Sequence, residues 1–598
     1  MKRFFGIAIL AAILIVGGMM LVPVAAQTKQ SLFLAYPPPE HQTTAETIFL
    51  IGTASPSGDV FINGKPIERS PAGHFAPSFP LQMGVNLFTI RHENEEIKVE
   101  VTKVSSEPEI PQEAAFAEDS LTPAVNVVRL PGESICFGAM APPNAEVSVR
   151  LGGAAAPATQ DRTISLLPQP ESVQLPPNSA ILTSHNQPTV VAARGRYQGC
   201  TTFSEAGNLG KPLFELRFDR EIISQEGKGE IDILSPNQLE VIEVTADAGV
   251  ARTGPSTDYS RLTPLPKGTI ARVTGKEGEW LRLDYGAWIK EEETKPIASN
   301  IPPTSFIRSI TSRPIKGATE IIFPLQIPVP VSVRQGDKFI TLTLYNTTAQ
   351  TDTIRLDDDP LIKRLDWQQV TPTRIDYTFY LKTEQQWGYD LRYEGTSLIF
   401  TLRHAPPIIS QTKSLKGVKI LLDPGHGGEE LGAKGPTGYP EKDANLVMSQ
   451  LLAQELKKLG ATVDLTRDTD VDLSLEDRVK IIDDKKPDIA LSIHYNALPD
   501  GGDAINTKGI GVFWYYPQGH EFAVFLHNYL VEKLDRPSYG VYWNNLALTR
   551  PHTAPSVLLE LGFMINPWEF EWITNPQEQK QLARAIAEGI KEWFLTVR

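Results

Sequence analysis

Two patterns of hydrophobic and polar positions divide this chain. Between residue 32 and about residue 403, apolar and polar side chains alternate in short runs such as Asp59-Val60-Phe61-Ile62, Ile97-Lys98-Val99-Glu100-Val101 and Phe339-Ile340-Thr341-Leu342. A period of two, bounded by turns such as Asn63-Gly64, predicts half-buried β-strands. From Val418 onward the pattern changes. Apolar runs at 420–422, 462–465, 489–493 and 557–559 alternate with stretches at 444–459, 521–534 and 577–594, whose apolar residues recur every three or four positions. Strands alternating with helices predict an open α/β sheet, whose ligand groups gather beyond the carboxyl ends of the strands.

Length turns this division into a multidomain expectation. At ~150 residues per domain, 598 residues exceed what one core organises. The expected layout is an export signal at 1–26, β units at 32–104, 118–237, 239–297 and 304–404, and an α/β unit at 417–598. Lys and Arg number 57 against 71 Asp and Glu, a net charge of -14, which offers no footprint for a polyanion and excludes nucleic acid as a partner. Lys2 and Arg3, the apolar run from 4 to 22 and the small residues Ala25-Ala26 form an export signal, with membrane attachment only if that segment is retained. Cys136 and Cys200 leave two readings open, one disulfide or two buried thiols; neither has a CxxC spacing.

Some of the β units carry recognisable blocks. Gly52-Thr53-Ala54, Val60-Phe61-Ile62-Asn63-Gly64 and Gly73-His74-Phe75 resemble bacterial Ig-like modules. The series Gly249-Val250-Ala251-Arg252, Gly254-Pro255-Ser256, Leu265-Pro266-Lys267-Gly268, Glu279-Trp280-Leu281-Arg282-Leu283 and Gly286-Ala287-Trp288-Ile289 resembles the bacterial SH3 barrel, with Trp280 and Trp288 open to either a core or a ligand-binding role. The strand spacing between Phe306 and Arg403 resembles the AMIN envelope-targeting sandwich. Residues 118–237 resemble no fold we can name.

Chemistry concentrates in the last third. Asp423-Pro424-Gly425-His426-Gly427-Gly428 follows the first apolar strand, Glu441 opens the first helical stretch, His494 ends the strand of Ser492-Ile493-His494, and Glu560 ends that of Val557-Leu558-Leu559. Two histidines and a carboxylate are a ligand set for catalytic zinc with a fourth position left for water, and a further carboxylate suits proton transfer. These four motifs, in this order, resemble the zinc-dependent N-acetylmuramoyl-L-alanine amidases of the AmiC-like type. The resemblance implies one Zn2+ held by His426, Glu441 and His494, with Glu560 as the catalytic carboxylate. Asn496 and His552 are expected to contact substrate, Arg467 and Arg478 to stabilise the fold, and His520 and His527 to pack locally.

The expected fold class is therefore multidomain: an Ig-like sandwich, an SH3-like barrel and an AMIN-like sandwich followed by an α/β open-sheet zinc hydrolase. The expected substrate is peptidoglycan, in a periplasm or cell envelope, with envelope or divisome proteins as further partners. Two other classes stay open: a zinc peptidase acting within the stem peptide, and an inactive wall-binding scaffold. The stretch between His494 and Glu560 reads as strands plus one main helix, which implies a site that no inserted helical arm blocks.

Overall fold

The computed structural model describes residues 32–105, 109–152, 162–175, 188–298, 303–406 and 414–597; the expected export signal lies outside them. As the two hydrophobic patterns require, a large β-rich region precedes an α/β domain. Among the described residues, no helix is long and apolar enough to cross a membrane.

In the first unit, sheets of three, five and two strands turn Ile48, Val60, Ile62, Phe75, Ile90 and Val101 onto one core. A six-stranded sheet spans the strands from Ser134–Met140 to Glu221–Glu226. On two of its neighbouring strands Cys136 and Cys200 stand opposite each other, joined by a disulfide. A further sheet runs across the next expected boundary: Val127–Arg129 pairs with Ile231–Ile233 on one side and with Ile270–Glu277 on the other. The Arg282–Glu133 ion pair, 2.6 Å, holds the same seam. Trp280 and Trp288 are buried there, so both rings serve packing. Residues 305–403 form sheets of five and four strands that enclose Ile310, Phe323, Leu342, Tyr377, Phe379 and Phe400.

The α/β domain comprises β1 (Lys419–Pro424), α1 (Glu441–Lys458), β2 (Thr462–Leu465), α2 (Leu475–Lys485), β3 (Ile489–Asn496), β4 (Ile510–Trp514), α3 (His520–Leu534), β5 (Ser538–Trp543), β6 (Ser556–Phe563), α4 (Pro567–Thr574) and α5 (Pro576–Thr596). The sheet order is β2-β1-β3-β6-β4-β5. Pairing is parallel from β2 to β6, antiparallel between β6 and β4, and parallel again between β4 and β5. Strands buried on both faces read as continuous apolar runs. Ile420, Leu422, Leu491, Ile493, Val557 and Leu559 pack with α1, α3 and α5, while Leu421 and Ala490 face Ile482 of α2. Ser474 caps α2, Asn566 caps α4 and Asn575 caps α5, the last two followed by proline at the first helical position.

The β units close around this domain. Trp387 stacks on Phe594 at 5.7 Å, and Arg403 donates to the carbonyls of Pro487 and Thr553. From the other end of the chain, Phe49, Ile51 and Ala76 pack on Leu498, Ala504, Phe563 and Ile565.

Candidate metal centre

The loop after β1 brings in the first imidazole. His426 adopts φ of +56°, a region that costs a residue with a Cβ some strain and persists only where its surroundings enforce it. Two buried arginines do so. Arg478 donates to the Asp423 carboxylate at 2.8 Å, to the Pro424 carbonyl at 2.7 Å and to the His426 carbonyl at 2.7 Å. Arg467 donates to the carbonyls of Pro424 and Gly425 at 3.0 and 2.8 Å. Asp423 also accepts from Ser492 and Thr466, each at 2.6 Å.

Glu441 opens α1, so its carboxylate sits at the positive end of a helix. Oε1 accepts from Asn445 Nδ2 at 3.0 Å, one helical turn on, and from the Tyr495 amide at 3.2 Å; Oε2 accepts from the Ala433 amide at 2.9 Å. His426 Nε2 lies 3.1 Å from Oε2, and His494 Nδ1, from the end of β3, lies 3.0 Å from Oε1. One ligand atom from each of the three residues falls within 4.8 Å of the others. Burial alone would raise the Glu441 carboxyl, but the two imidazoles outweigh it and hold the group well below the usual carboxylate range. Burial likewise pulls His426 down, and Glu441 with Glu430, 2.9 Å from its Nδ1, lifts it above the ordinary imidazole value.

The loops leave no spare room around these donors. A Cβ on Gly425 would come within 2.1 Å of the His494 ring, and one on Gly432, whose φ is +66°, within 2.5 Å of Glu441 Oε2. Two imidazoles and one carboxylate, converging this closely and fixed by neighbouring hydrogen bonds, fit a divalent metal of the zinc class.

Glu560 stands opposite His494 on the paired strand β6. Its Oε2 is enclosed and has no hydrogen-bond partner among the described residues. Burial, reinforced by the negative charge of Glu441, pushes its carboxyl well above the ordinary range. A carboxylate that is neither a ligand nor satisfied is available for proton transfer. Asn496, two residues beyond His494, keeps its Nδ2 enclosed and unpartnered in the same way.

The structure does not bring His552 to this cluster. It precedes the first residue of β6, whereas Glu560 lies within that strand, and its ring is 4.8 Å from Tyr389 with its carbonyl accepting from the Tyr389 amide. There it packs between the domains. His527 is buried with Nε2 2.9 Å from Ser538 Oγ, and His520 packs on Trp514 at 4.6 Å. Sequence reasoning singled out neither Asn445 nor Glu430, although each lies four positions after a candidate ligand residue. For Asn445 on α1 that spacing marks a helix-face neighbour and could have found it. Between His494 and Glu560 the described residues hold β4, α3, β5 and short turns, with no inserted helical arm.

Residues 420–592 match the family described as N-acetylmuramoyl-L-alanine amidase. Over 182 residues the chain is 37% identical to the probable cell wall amidase LytH of Staphylococcus aureus, covering 30% of this chain and 60% of LytH. The chain thus spans about 60% of the length of the curated relatives it matches. Among solved structures, the catalytic domain of CwlV, an N-acetylmuramoyl-L-alanine amidase from Bacillus (Paenibacillus) polymyxa var. colistinus, is 31% identical, with 30% of this chain and 99% of that one covered and a TM-score of 0.28. The N-acetylmuramoyl-L-alanine amidase AmiC2 of Nostoc punctiforme is 30% identical, with 30% and 97% covered and a TM-score of 0.28.

Proposed function

Through its C-terminal domain this chain belongs to the N-acetylmuramoyl-L-alanine amidase family, and from that premise we propose that it hydrolyses the amide between the lactyl group of N-acetylmuramic acid and the L-Ala of the stem peptide in peptidoglycan. The observation that carries this reading is the convergence of His426, Glu441 and His494 beside the unpartnered carboxyl of Glu560.

In this reading His426, Glu441 and His494 hold one zinc ion. When bound, zinc acidifies a water and polarises the scissile carbonyl. Glu560 would accept a proton from the attacking water and would return it to the departing amine as the C–N bond breaks, so that the enclosed carboxyl would end the cycle as it began. Arg467 and Arg478 keep the His426 loop closed, and Asn445 fixes the rotamer of Glu441. Asn496 offers its free amide hydrogens to a substrate carbonyl.

The accessory units extend the proposal. We read residues 32–104 as an Ig-like sandwich, 239–297 as an SH3-like barrel and 304–404 as an AMIN-like sandwich, with residues 1–26 directing export to the cell envelope. The β units then serve retention at the wall, where peptidoglycan is the partner.

The test is digestion of purified peptidoglycan by the mature protein, with zinc supplied or chelated and with Glu560→Gln in parallel, followed by mass spectrometry of the released fragments. Zinc-dependent release of complete stem peptides beginning with L-Ala, lost in the variant, is the expected result. Truncated stem peptides would instead identify a peptidase, and no release in any condition would point to a missing activator or a binding role.

A further inference from the structure

At the end of the catalytic sheet remote from His494 and Glu560, the segment after β4 meets the unit of residues 239–297. Tyr515 Oη donates to the Arg261 carbonyl at 3.4 Å. The Tyr515 ring stacks on Trp543 at 5.2 Å, and Trp543 Nε1 donates to the Tyr515 carbonyl at 3.0 Å. Arg550 is tied to the stretch that follows Trp543 through its Nη1, 3.2 Å from the Asn545 carbonyl. Arg252 and Arg261 face each other across an isolated antiparallel bridge. Arg252 Nη1 is engaged with the carbonyls of Thr257 and Tyr259, whereas the Arg261 guanidinium makes no hydrogen bond or ion pair among the described residues.

Positive charge outnumbers negative in this cluster: Arg252, Arg261 and Arg550 share Glu293 and Asp258. The acids that reach Arg252 and Arg261 are Glu293, whose carboxylate is occupied at 2.5 Å by the Val250 amide, and Asp258, which acts on Arg252 alone. Tyr515 and Tyr516 are the remaining titratable groups around Arg261 and Arg550. Burial, and then the neighbouring arginines, hold Arg261 below its ordinary range and push Arg550 down to about 10. Half-buried like charges disfavour the very interface that brings them together, unless an anion shares them. Beside them Trp543 leaves 57% of its surface exposed, in an otherwise acidic chain of net charge -14.

We propose that Arg261 and Arg550, with the exposed Trp543, form a binding site between these two units for a carboxylate or phosphate borne by a saccharide-containing polymer. A planar guanidinium pairs a carboxylate or phosphate through parallel hydrogen bonds, and an indole face covers the apolar side of a sugar ring. The carboxylates of peptidoglycan stem peptides and the phosphates of wall glycopolymers share this chemistry. Such a site holds the wall polymer at one end of the domain while the metal centre acts at the other, and it does not depend on the amidase reading.

The experiment uses the mature full chain with zinc chelated, so that no hydrolysis intervenes. It is titrated with inorganic phosphate, with a glycerol-phosphate oligomer bearing sugars, and with a disaccharide-peptide whose carboxylates are free or amidated. Tryptophan fluorescence is read against Trp543→Phe. We expect saturable binding that weakens with salt, is at least tenfold tighter for the preferred sugar-borne anion than for phosphate alone, and is at least tenfold weaker in Arg261→Ala and Arg550→Ala. Loss of binding on amidation assigns the stem-peptide source; preference for the oligomer assigns the glycan phosphate. Arg261→Ala should keep or raise the melting temperature, because it relieves repulsion. Should Arg550→Ala fold poorly, Arg261→Gln carries the comparison. Absence of saturable binding by every probe, or equal affinity in Arg261→Ala and the parent, would overturn the proposal.

Discussion

Burial and the charge of Glu441 both raise the Glu560 carboxyl, and it is the residue whose change separates chemistry from binding. Glu560→Gln keeps the shape and removes the proton acceptor, so turnover should fall by about 10^2–10^4-fold while zinc stays bound, a pairing read by rate assay and metal analysis. The same variant reports on stability. Because burial and Glu441 raise the folded-state carboxyl above its unfolded value, the folded chain holds this proton more tightly. The contribution is complete below the ordinary carboxylate range and is lost as the pH rises toward the folded value. Zinc-free Glu560→Gln should therefore melt higher than the parent near neutral pH, with the difference shrinking in acid; calorimetry across pH checks it, and a constant difference would exclude this carboxyl as its source. The short motifs around His426, Glu441, His494 and Glu560 drew attention to these residues in the sequence, although Glu560, expected at a strand end, lies within β6. Nearness along the chain to the Glu560 strand placed His552 among the candidates, and the structure sets its ring against Tyr389.

At the scale of elements, the metal centre depends on how α1 begins. Asn445 is wholly buried one turn after Glu441 and donates to both its Oε1 and the Gly425 carbonyl, so one side chain locks the helix start to the His426 loop. Asn445→Ala should weaken zinc binding by about 10–100-fold, measured by competition with a chelating dye; unchanged affinity would reduce Asn445 to packing. On the neighbouring element, Arg478→Ala leaves Asp423 buried with only its hydroxyl donors. Breaking such a pair costs about 3–5 kcal/mol, which urea unfolding would register. The strands and long helices were legible from period alone, since β1, β3 and β6 are continuous apolar runs and α5 is strongly two-faced. α2 was not, because it buries only Arg478 and Ile482 and so presents no apolar stripe to read. The strand Val127–Arg129 was equally opaque, as its partner Ile270–Glu277 belongs to what the sequence presents as another unit.

For the whole molecule, the least legible feature is the return of the first β unit to the catalytic domain, made by contacts such as His41 to Asp500 across 459 positions. Its footprint falls on the segments that continue from the site: Leu498 and Ala504 follow His494, and Phe563 and Ile565 follow Glu560. Phe33 reaches within 3.3 Å of where a Cβ on Gly438 would stand, just before Glu441. The polar centre of this contact is Asp500, which accepts from Tyr36 and lies 2.9 Å from His41 Nε2. Burial would raise the Asp500 carboxyl, yet hydrogen bonds from Thr43, Tyr36 and His41 outweigh it and hold the group below its usual range. A depressed folded value means that the contribution is present above the ordinary carboxylate range and is lost as the pH falls through the folded value. Docking of the first unit should then loosen in acid, seen as faster proteolytic cleavage within residues 497–507 as the pH drops. Asp500→Asn should cleave faster than the parent at neutral pH and lose most of that pH dependence, because the apolar contacts of Phe49 and Ile51 with Phe563 and Ile565 remain but the titrating group does not. If the parent and Asp500→Asn showed the same acid-dependent cleavage, the apolar contacts alone would hold the unit in place, and Asp500 would be a bystander at their edge.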